Sequence, residues 1–293
     1  MIKVDREPIV RNHFPDGTQH LILPDVVAAG TFEYPHSIRI IEWRYESDEE
    51  LVTLWMVTKQ MRANGANHIH LILPYIPNAR MDRVKHSTDV FTLKYFADMI
   101  NAMQFDRVVV LDPHSNVATA LIHHVDEDNA QMDIQWAINH INANKWLYAT
   151  KETPNELMAF FPDEGSMKRY SGLVSLPYAF GIKRRDWETG KIEGLDVAGC
   201  TELISGRDVV MIDDICSRGG TFYYSAKKLK ELGAGNIYIY VTHCEQTILD
   251  GDLIHSGLIK RIYTTDSIFG EAAQKRAAEL NLGYLFEVEK LKY

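Results

Sequence analysis

Val209-Val210-Met211-Ile212-Asp213-Asp214-Ile215-Cys216-Ser217-Arg218-Gly219-Gly220-Thr221 is the stretch that decides the fold class of this chain. An apolar run ends there in two adjacent carboxylates, and a small turn with two glycines follows them. Beyond the turn, apolar residues recur at helical spacing. This order predicts a buried parallel strand, a turn and a helix. Because ligands of open α/β sheets bind at the carboxyl ends of the strands, we expect a binding site at this turn.

The turn has the chemistry of a ribose-phosphate site. It lies at a predicted helix N-terminus, where free N–H groups and the helix dipole favour an anion. Gly219 and Gly220 allow the backbone to approach that anion closely. Asp213 and Asp214 would repel a bare phosphate, but they suit ribose hydroxyls or a divalent cation beside the phosphate. These features together indicate a phosphorylated sugar. The alternative is an ordinary strand–turn–helix in which the aspartates only cap or solvate the turn.

The order strand, loop, helix, Gly-Ala and strand occurs twice along the chain. These elements are predicted at residues 38–43, 49–63 and 68–73 in the first half and at residues 209–212, 221–232 and 237–241 in the second half. The repeat predicts an α/β protein of two similar doubly wound domains, each with a mostly parallel sheet flanked by helices.

The domain boundary is predicted in a polar stretch, 126–144, that lacks the apolar runs of the flanking strands. We place it near residue 140, so that the first domain spans 1–140 and the second spans 141–283. The strand-like terminus, 284–293, is a candidate to pack back on the first domain. Residues 181–199 are charged and contain glycines without clear periodicity, which predicts a long exposed loop or a hairpin flap.

Composition narrows the class of protein. A chain of 293 residues with 46% hydrophobic content can hold two domains of ordinary size. The net charge of -9 argues against nonspecific nucleic-acid binding. No apolar run is long enough to span a bilayer, and the first residues have no apolar signal core. The three cysteines have no CxxC spacing and fit a reducing compartment. We therefore expect a cytoplasmic protein that binds neither nucleic acid nor membrane.

Six segments, in order along nearly the whole chain, resemble those of the ribose-phosphate pyrophosphokinases. The opening stretch is similar to the phosphoribosyl pyrophosphate loop, which this family shares with phosphoribosyltransferases. The other segments separate the two classes, because simple transferases lack the ATP-binding one. They are Phe14 to Gly17 (an adenine-side loop), Pro74 to Arg83 (the ATP-binding segment), Val108 to Ser115 (an Asp-x-His metal segment), Phe161 to Gly165 (a second-domain loop with a metal-binding Asp) and Lys183 to Arg185 (the start of a mobile catalytic flap).

The resemblance implies a phosphoribosyltransferase-like fold, a homo-oligomer (dimer or hexamer) and transfer of the diphosphate of ATP to ribose 5-phosphate, with Mg²⁺ as cofactor. It implies ATP binding by Phe14, Asp16, Arg80, Asp82, Arg83 and His114, and metal binding by His114 and Asp163. It implies catalytic roles for Lys183, Arg185 and His114. It implies ribose-phosphate binding by Asp213, Asp214, Cys216, Ser217, Arg218, Gly219, Gly220 and Thr221.

The chain departs from the family pattern at three places. The family loop usually reads Asp-Thr-Gly-Gly-Thr, and here Arg218 stands where a small hydroxyl residue is usual. The adenine-side loop carries Thr18 where a glutamate is usual. The chain ends at Tyr293, soon after a strand-like segment and without the family's terminal helix, so the usual hexamer and its regulation by phosphate or ADP are not assumed.

These departures leave alternatives open. Arg218 makes ADP-ribose, whose ribose carries a 5-linked phosphodiester, a second candidate acceptor, as in a variant that rebuilds NAD. An inactive regulatory homologue is another alternative, against which the retained site residues argue. A phosphoribosyltransferase that consumes the pyrophosphorylated product is a third alternative. The Arg80 to Arg83 segment and the two-domain repeat argue against it.

Overall fold

A computed structural model describes residues 1–27, 38–147, 156–185 and 192–293, without the side chains of residues 145–147, 183–185 and 192–193. The chain divides into two compact units, residues 1–129 and residues 130–292. Among the described residues, no helix is long and apolar enough to cross a membrane.

The first unit is built on a sheet with the strand order β2-β1-β5-β6-β7-β8, in which β5 to β8 are parallel and β1 and β2 are antiparallel. Its buried core lies between this sheet and its helices. A separate two-stranded sheet is formed by β3 and β4. The strands are β1 (Ile2–Val4), β2 (Glu7–Pro8), β3 (Val10–His13), β4 (Gln19–Ile22), β5 (Ile38–Trp43), β6 (His68–Ile72), β7 (Arg107–Leu111) and β8 (Val125–Asp128), and the helices are α1 (Glu49–Ala63), α2 (Thr92–Ala102) and α3 (Asn116–Leu121).

The second unit has the strand order β11-β10-β9-β12-β13-β14-β15, and every pairing except that of β10 with β11 is parallel. Two apolar clusters involve its strands. The strands are β9 (Leu157–Phe161), β10 (Tyr178–Arg185), β11 (Ile192–Gly199), β12 (Asp208–Cys216), β13 (Ile237–Cys244), β14 (Arg261–Thr265) and β15 (Phe286–Glu289), and the helices are α4 (Gln131–Leu147), α5 (Glu164–Tyr170), α6 (Gly220–Glu231), α7 (Asp252–His255) and α8 (Glu271–Glu279).

The repeat predicted from the sequence has the same backbone ending in both units. After α1, the Ala66 N–H donates to the Met61 carbonyl oxygen at 3.0 Å. After α6, the Ala234 N–H donates to the Leu229 carbonyl oxygen, also at 3.0 Å. In each case the N–H bonds to the carbonyl five residues earlier, as in a Schellman motif, and the chain turns sharply from the helix toward the next strand. The predicted fold class, two mostly parallel sheets flanked by helices, is confirmed.

The domain boundary differs from the predicted one near residue 140. The polar stretch that predicted it contains α4, which belongs to the second unit. The helix buries Ile134, Ala137, Ile138 and Ile141 in a cluster with strand residues such as Phe161. Burial of this apolar stripe fixes α4 to the second sheet, so the division falls before the helix.

The terminal strand also differs from its predicted packing. The sequence makes residues 284–293 a candidate to pack back on the first domain. Instead, β15 pairs in parallel with β14, with Ile262 opposite Phe286, and extends the second sheet. The Phe286 ring stacks on Phe269, with ring centroids 4.7 Å apart. This pairing satisfies one side of the β15 backbone and covers the β14 edge.

A carboxyl group at the end of β15 gives a pH-dependent prediction. Burial and the negative charges of Asp133 and Asp266 raise the pKa of Glu289 from 4.5 to about 7, and Lys292 opposes the shift. Because the folded pKa is raised, the stability associated with the protonated carboxyl is present below pH 4.5 and is lost as the pH rises through 7. We expect Glu289→Gln to stabilise the protein at pH 8 by about 1 kcal/mol, a value reduced for solvent screening of this partly exposed group.

Urea unfolding at pH 5 and pH 8 measures this effect, with Glu202→Gln as a control at an exposed carboxyl. The gain should be several times larger at pH 8 than at pH 5. An equal change at both pH values would contradict the assignment to Glu289.

Candidate active site

The two predicted carboxylates lie at the carboxyl end of a central strand. In the second sheet, β12 lies between β9 and β13. Asp214 is buried and Asp213 is half-buried, and the Asp214 N–H donates to Asp213 Oδ1 at 3.1 Å. The ends of the two neighbouring strands therefore contribute further groups to this edge. The predicted strand, turn and helix are all present.

The turn after β12, which we call the acceptor loop (Ser217–Thr221), leads directly into α6. Gly219 precedes the helix with a φ of 78°, in the left-handed region that glycine adopts without strain. A Cβ at this position would lie 2.6 Å from Leu253 Cδ2, so the loop is seated tightly on α7. Gly220 opens the helix, and a Cβ there would meet nothing within 4 Å. The space beside the first turn of α6 is therefore open to a ligand on this side.

The side chains of the acceptor loop differ in exposure. Arg218 is exposed, and its side chain makes no hydrogen bond or ion pair with the described residues. Ser217 and Thr221 are half-buried. Cys216, just before the loop, is buried in the apolar core and pairs in register with Cys244. A ligand at this edge would therefore meet the backbone of Cys216 and not its thiol.

A second segment, which we call the support segment (Glu245–Leu253), lies against the acceptor loop. Ser217 Oγ donates to Glu245 Oε2 at 2.7 Å. A Cβ on Gly251 would overlap the carbonyl oxygen of Arg218 and lie 2.9 Å from its carbonyl carbon. Sequence reasoning missed this segment. Its only local signal was a glycine after a buried strand, and its contacts depend on the pairing of β12 with β13.

Three carboxylates share the same edge of the sheet. Burial, Asp214 and Asp163 raise the pKa of Asp213 well above its ordinary value. Asp163 follows β9 and caps α5, where its Oδ1 accepts from the Gly165 and Ser166 N–H groups at 3.0 and 3.1 Å. The structure thus brings together the metal-binding candidate and the ribose-binding candidates of the second unit.

Arg169 is a cation of this edge that sequence reasoning did not single out. It lies on α5, and its Nη1 atom is 3.4 Å from Asp214 Oδ2. The side chains are 28% and 10% exposed, so the pair is shielded from water on the Asp214 side. Arg169 therefore places a positive charge beside Asp214, while the negative neighbours of Asp213 are Asp214 and Asp163.

The predicted flap is an antiparallel hairpin of β10 and β11. Lys183 pairs with Leu195 in its backbone register, and Arg185 pairs with Ile192 after an irregularity. The base of β10 pairs with β9 up to Phe161, immediately before the Asp163 loop. The hairpin therefore rises from the carboxylate edge. The side chains of residues 183–185 and all of residues 186–191 lie outside the described part of the chain.

In the first unit, the segments after β6 and β7 meet at the carboxyl edge of the sheet. The Leu111 N–H donates to the Pro74 carbonyl oxygen at 3.1 Å, which ties the two strand ends together. Asp112 is buried and has a φ of 42°. His114 follows it and is half-buried. The predicted Asp-x-His segment and the predicted ATP-binding segment thus lie side by side.

The charged residues after β6 lie on the outside of the first unit. Arg80 and Arg83 are exposed. Asp82 is less exposed, and its Oδ1 is 3.7 Å from Arg83 Nε. Ile76 and Ala79 are buried and anchor the segment. The two arginines therefore lie at the surface of the segment, while the apolar residues hold its backbone.

The adenine-side candidates lie at the tip of the β3–β4 hairpin. Phe14 is 51% exposed, and its ring is 5.2 Å from that of His20. Asp16 Oδ1 accepts from Thr18 Oγ1 at 2.6 Å and from the Thr18 N–H at 2.9 Å, and these bonds lower the pKa of Asp16. Thr18 thus rigidifies the turn. The hairpin is held on α1, where Gln19 accepts from Thr53.

The carboxylate oxygens of Asp163, Asp213 and Asp214 are donors of the kind that a divalent cation such as Mg²⁺ prefers. Among the described residues, no group of three or more His, Cys, Asp or Glu side chains is arranged to hold a metal by itself. Mg²⁺ does not need such a cage, since it usually takes one or two carboxylates together with water and substrate phosphates. The raised pKa of Asp213 beside Asp163 and Asp214 marks an edge where a cation would relieve repulsion.

Comparison with known proteins agrees with this geometry. The protein-family model for the N-terminal domain of ribose phosphate pyrophosphokinase matches the sequence of residues 4–103. The ribose-phosphate pyrophosphokinase of Staphylococcus saprophyticus is 30% identical over 237 residues, which cover 77% of this chain and 67% of that protein. The ribose-phosphate pyrophosphokinase of Bradyrhizobium diazoefficiens is 28% identical over 242 residues, with 80% and 71% covered.

A solved structure shows the same fold. The crystal structure of phosphoribosylpyrophosphate synthetase from Mycobacterium smegmatis superposes with a TM-score of 0.71 and 19% identity, covering 97% of this chain and 86% of that one. The fold and the loop define a two-unit α/β protein with a candidate ribose-phosphate site. The identity to the staphylococcal enzyme then gives the family: the chain belongs to the ribose-phosphate pyrophosphokinases.

Proposed function

We propose that this protein transfers the diphosphate of ATP to the anomeric hydroxyl of ribose 5-phosphate, giving phosphoribosyl pyrophosphate and AMP. The observation that carries the proposal is the acceptor loop, an open helix N-terminus directly after two carboxylates at the carboxyl end of β12. Family membership supports it, because the relatives are named for this reaction.

The acceptor is held by the second unit in this proposal. The N–H groups at the start of α6, from Gly219 to Thr221, bind the 5-phosphate, and the positive end of the helix dipole favours it. Asp213 and Asp214 accept hydrogen bonds from the ribose hydroxyls. Arg169 Nη1, at 3.4 Å from Asp214 Oδ2, places a positive charge beside that carboxylate.

ATP is held by the first unit. The guanidinium groups of Arg80 and Arg83 bind the phosphates or stack on the purine, as arginine does elsewhere. Phe14 offers an exposed aromatic face to the base, and Asp16 offers an acceptor. His114, beside the buried Asp112, contacts the phosphates directly or through water.

His114 is proposed to hold Mg²⁺ beside the ATP phosphates, and Asp163 is proposed to hold a second Mg²⁺ near the ribose. Such ions would neutralise charge on the phosphate oxygens. The chain's own residues supply positioning and charge: Lys183 and Arg185 bring cations to the transferring group when the hairpin closes. No general base is assigned, because phosphoryl transfer depends mainly on alignment and electrostatic stabilisation.

Three finer points are part of the same proposal. The protein works in the cytoplasm, forms a homo-oligomer, and makes its product for nucleotide or NAD biosynthesis. ADP-ribose remains a second candidate acceptor, because Arg218 is exposed beside the loop where it could meet a diphosphate bridge.

The test is AMP release from Mg-ATP with ribose 5-phosphate or ADP-ribose as the acceptor, with product identity read by mass spectrometry. We expect AMP and the 1-pyrophosphorylated ribose with the first acceptor, and loss of at least about a hundredfold in Lys183→Ala with folding intact by circular dichroism. No AMP with either acceptor would favour an inactive homologue. Base-dependent pyrophosphate release without ATP would indicate a phosphoribosyltransferase.

A further inference from the structure

The support beneath the acceptor loop carries a negative charge that the proposed reaction does not use. Glu245 Oε2 accepts from Ser217 Oγ at 2.7 Å and from Thr247 Oγ1 at 3.1 Å. The Glu245 side chain is half-buried. A carboxylate is thus held against the loop proposed to take the acceptor phosphate.

The backbone fixes this carboxylate in place. The Glu245 N–H donates to the Cys216 carbonyl oxygen at 2.8 Å, and Cys216 pairs in register with Cys244. Both ends of the Ser217–Glu245 hydrogen bond therefore follow directly from paired strands. The backbone pairing thus fixes the position of Glu245, and the hydrogen bonds from Ser217 and Thr247 hold its carboxylate against the loop.

We propose that Glu245 is a specificity-determining residue that weakens binding of a dianionic phosphate monoester relative to a monoanionic phosphodiester. The inference rests on the proposed function, because it requires a sugar phosphate at the acceptor loop. Repulsion from a fixed carboxylate grows in proportion to the charge on the phosphate. In addition, the Ser217 hydroxyl donates its single proton to Glu245 and does not offer it to the phosphate.

Arg218 adds a positive charge to the same loop but does not cancel this effect. Its side chain is exposed, so water and salt screen it more than the half-buried Glu245. Asp213 and Asp214 add further negative charge at the strand end. Arg218, Asp213 and Asp214 are unchanged in a variant that differs only at Glu245. A comparison of such a variant with the unaltered protein therefore isolates the effect of the Glu245 carboxylate.

The expected size follows from the charge. At a separation on the order of 8 Å and an effective dielectric constant of about 40, one charge pair changes a dissociation constant about fivefold. A dianion doubles the free energy, which gives about 25-fold, and salt screening lowers the two effects to about threefold for a monoanion and about tenfold for a dianion. The effect on a monoester should thus be about twice that on a diester on a logarithmic scale.

The experiment measures binding of two probes by titration calorimetry at pH 8: ribose 5-phosphate and its methyl phosphodiester, which is similar in size with one charge fewer. Glu245→Gln keeps an acceptor for Ser217 and removes the charge. We expect it to tighten ribose 5-phosphate about tenfold and the methyl diester about threefold.

Two further variants exclude a merely structural role. Asp250→Asn removes a carboxylate from the same support segment, but that carboxylate faces α8, where it lies 2.6 Å from Arg276 Nη2, and we expect no change for either probe. Glu245→Ala removes the charge and the hydrogen-bond acceptor together. We expect the same change in preference between the probes, with weaker binding of both than in Glu245→Gln.

Equal tightening of both probes, no change in Glu245→Gln, or no binding of either probe to the unaltered protein would overturn the inference. AMP release from Mg-ATP with ribose 5-phosphate, measured in parallel on the unaltered protein, tests the proposed function separately. An active enzyme with unchanged probe preference in Glu245→Gln sinks the inference alone.

Discussion

Replacing Asp213 by asparagine is expected to make the protein more stable at pH 8 and at least about a hundredfold less active. The two effects have one cause. Asp213 is held beside Asp214 and Asp163, and burial together with these two carboxylates raises its pKa well above 3.8. An ionised Asp213 therefore costs folding free energy, and the same charge is what a ribose hydroxyl or a cation at this edge would use.

The sign of the stability change depends on pH. Because the folded pKa of Asp213 is raised, the protonated carboxyl contributes stability that is present below pH 3.8 and is lost as the pH rises through the folded value. Asparagine resembles the protonated acid at every pH. The gain should thus be on the order of 1 kcal/mol at pH 8 and should vanish near pH 4.

The loss of activity comes from the hydroxyl contact and from the missing charge. Loss of a single preorganised polar group at a reacting centre typically lowers kcat by about 10² to 10³. Stability is measured by urea unfolding in EDTA, so that no cation compensates the carboxylates. Added Mg²⁺ should stabilise the unaltered protein more than the variant and reduce the difference between them.

Asp208→Asn is the matched control, since Asp208 is a buried carboxyl on the same strand. Its Oδ1 accepts from the Asn236 N–H at 2.9 Å, so its charge is stabilised by a partner. We expect this variant to lose about 1–3 kcal/mol. Destabilisation of Asp213→Asn like that of the control would contradict the repulsion between Asp213 and its neighbouring carboxylates. Activity within tenfold of the unaltered protein would contradict the role of Asp213 in the reaction.

Local sequence order predicted much of the second unit, because the strand, turn and helix are consecutive in the chain. Asp213 and Asp214 end an apolar run, and Gly219 and Gly220 precede α6, so the candidate loop could be predicted without knowledge of the sheet. The position of Asp163 followed from the resemblance. Its proximity to Asp213 required the parallel pairing of β9 with β12.

The support segment could not be predicted, because its contacts join residues far apart in sequence. Ser217 and Glu245 meet because Cys216 and Cys244 are paired across two strands. No motif marks such a contact, and a strand register cannot be derived from a buried run that is apolar on both faces.

The boundary was misplaced for a different reason, since the signal was present in the sequence. Ile134, Ala137, Ile138 and Ile141 follow the spacing of one helix face within an otherwise polar stretch. The polar average of residues 126–144 masks this helical spacing of the apolar residues. The stripe is buried on the second sheet, where it shares a cluster with Val210.

Gly251→Ala is expected to weaken acceptor binding by about a hundredfold or more while leaving ATP binding intact. Gly251 has a φ of -96°, which alanine adopts readily, so backbone strain is not the cause. The added Cβ would overlap the Arg218 carbonyl oxygen, and both groups belong to the backbone. Relief requires a shift of either the acceptor loop or the support segment.

Neither segment can shift without cost. Gly219, next to Arg218, is packed on Leu253, and Ser217 is bonded to Glu245. The support segment continues into Ile248, Leu249 and Leu253, which are buried in the core. Overpacking at such a site costs about 1–3 kcal/mol, so we expect that loss in urea unfolding and an acceptor Kd weakened by about a hundredfold or more.

Gly172→Ala is the matched control, because a Cβ there would meet nothing within 4 Å. ATP binding, measured on the same samples, separates local damage from unfolding, since the residues proposed to hold ATP lie in the first unit. Acceptor binding preserved in a folded Gly251→Ala protein would show that the loop tolerates displacement of the Arg218 carbonyl. If acceptor affinity alone is lost, the α6 N–H groups bind the phosphate only while the support segment holds the acceptor loop against β12. The alignment of these N–H groups is then set by backbone contacts and not by the loop sequence.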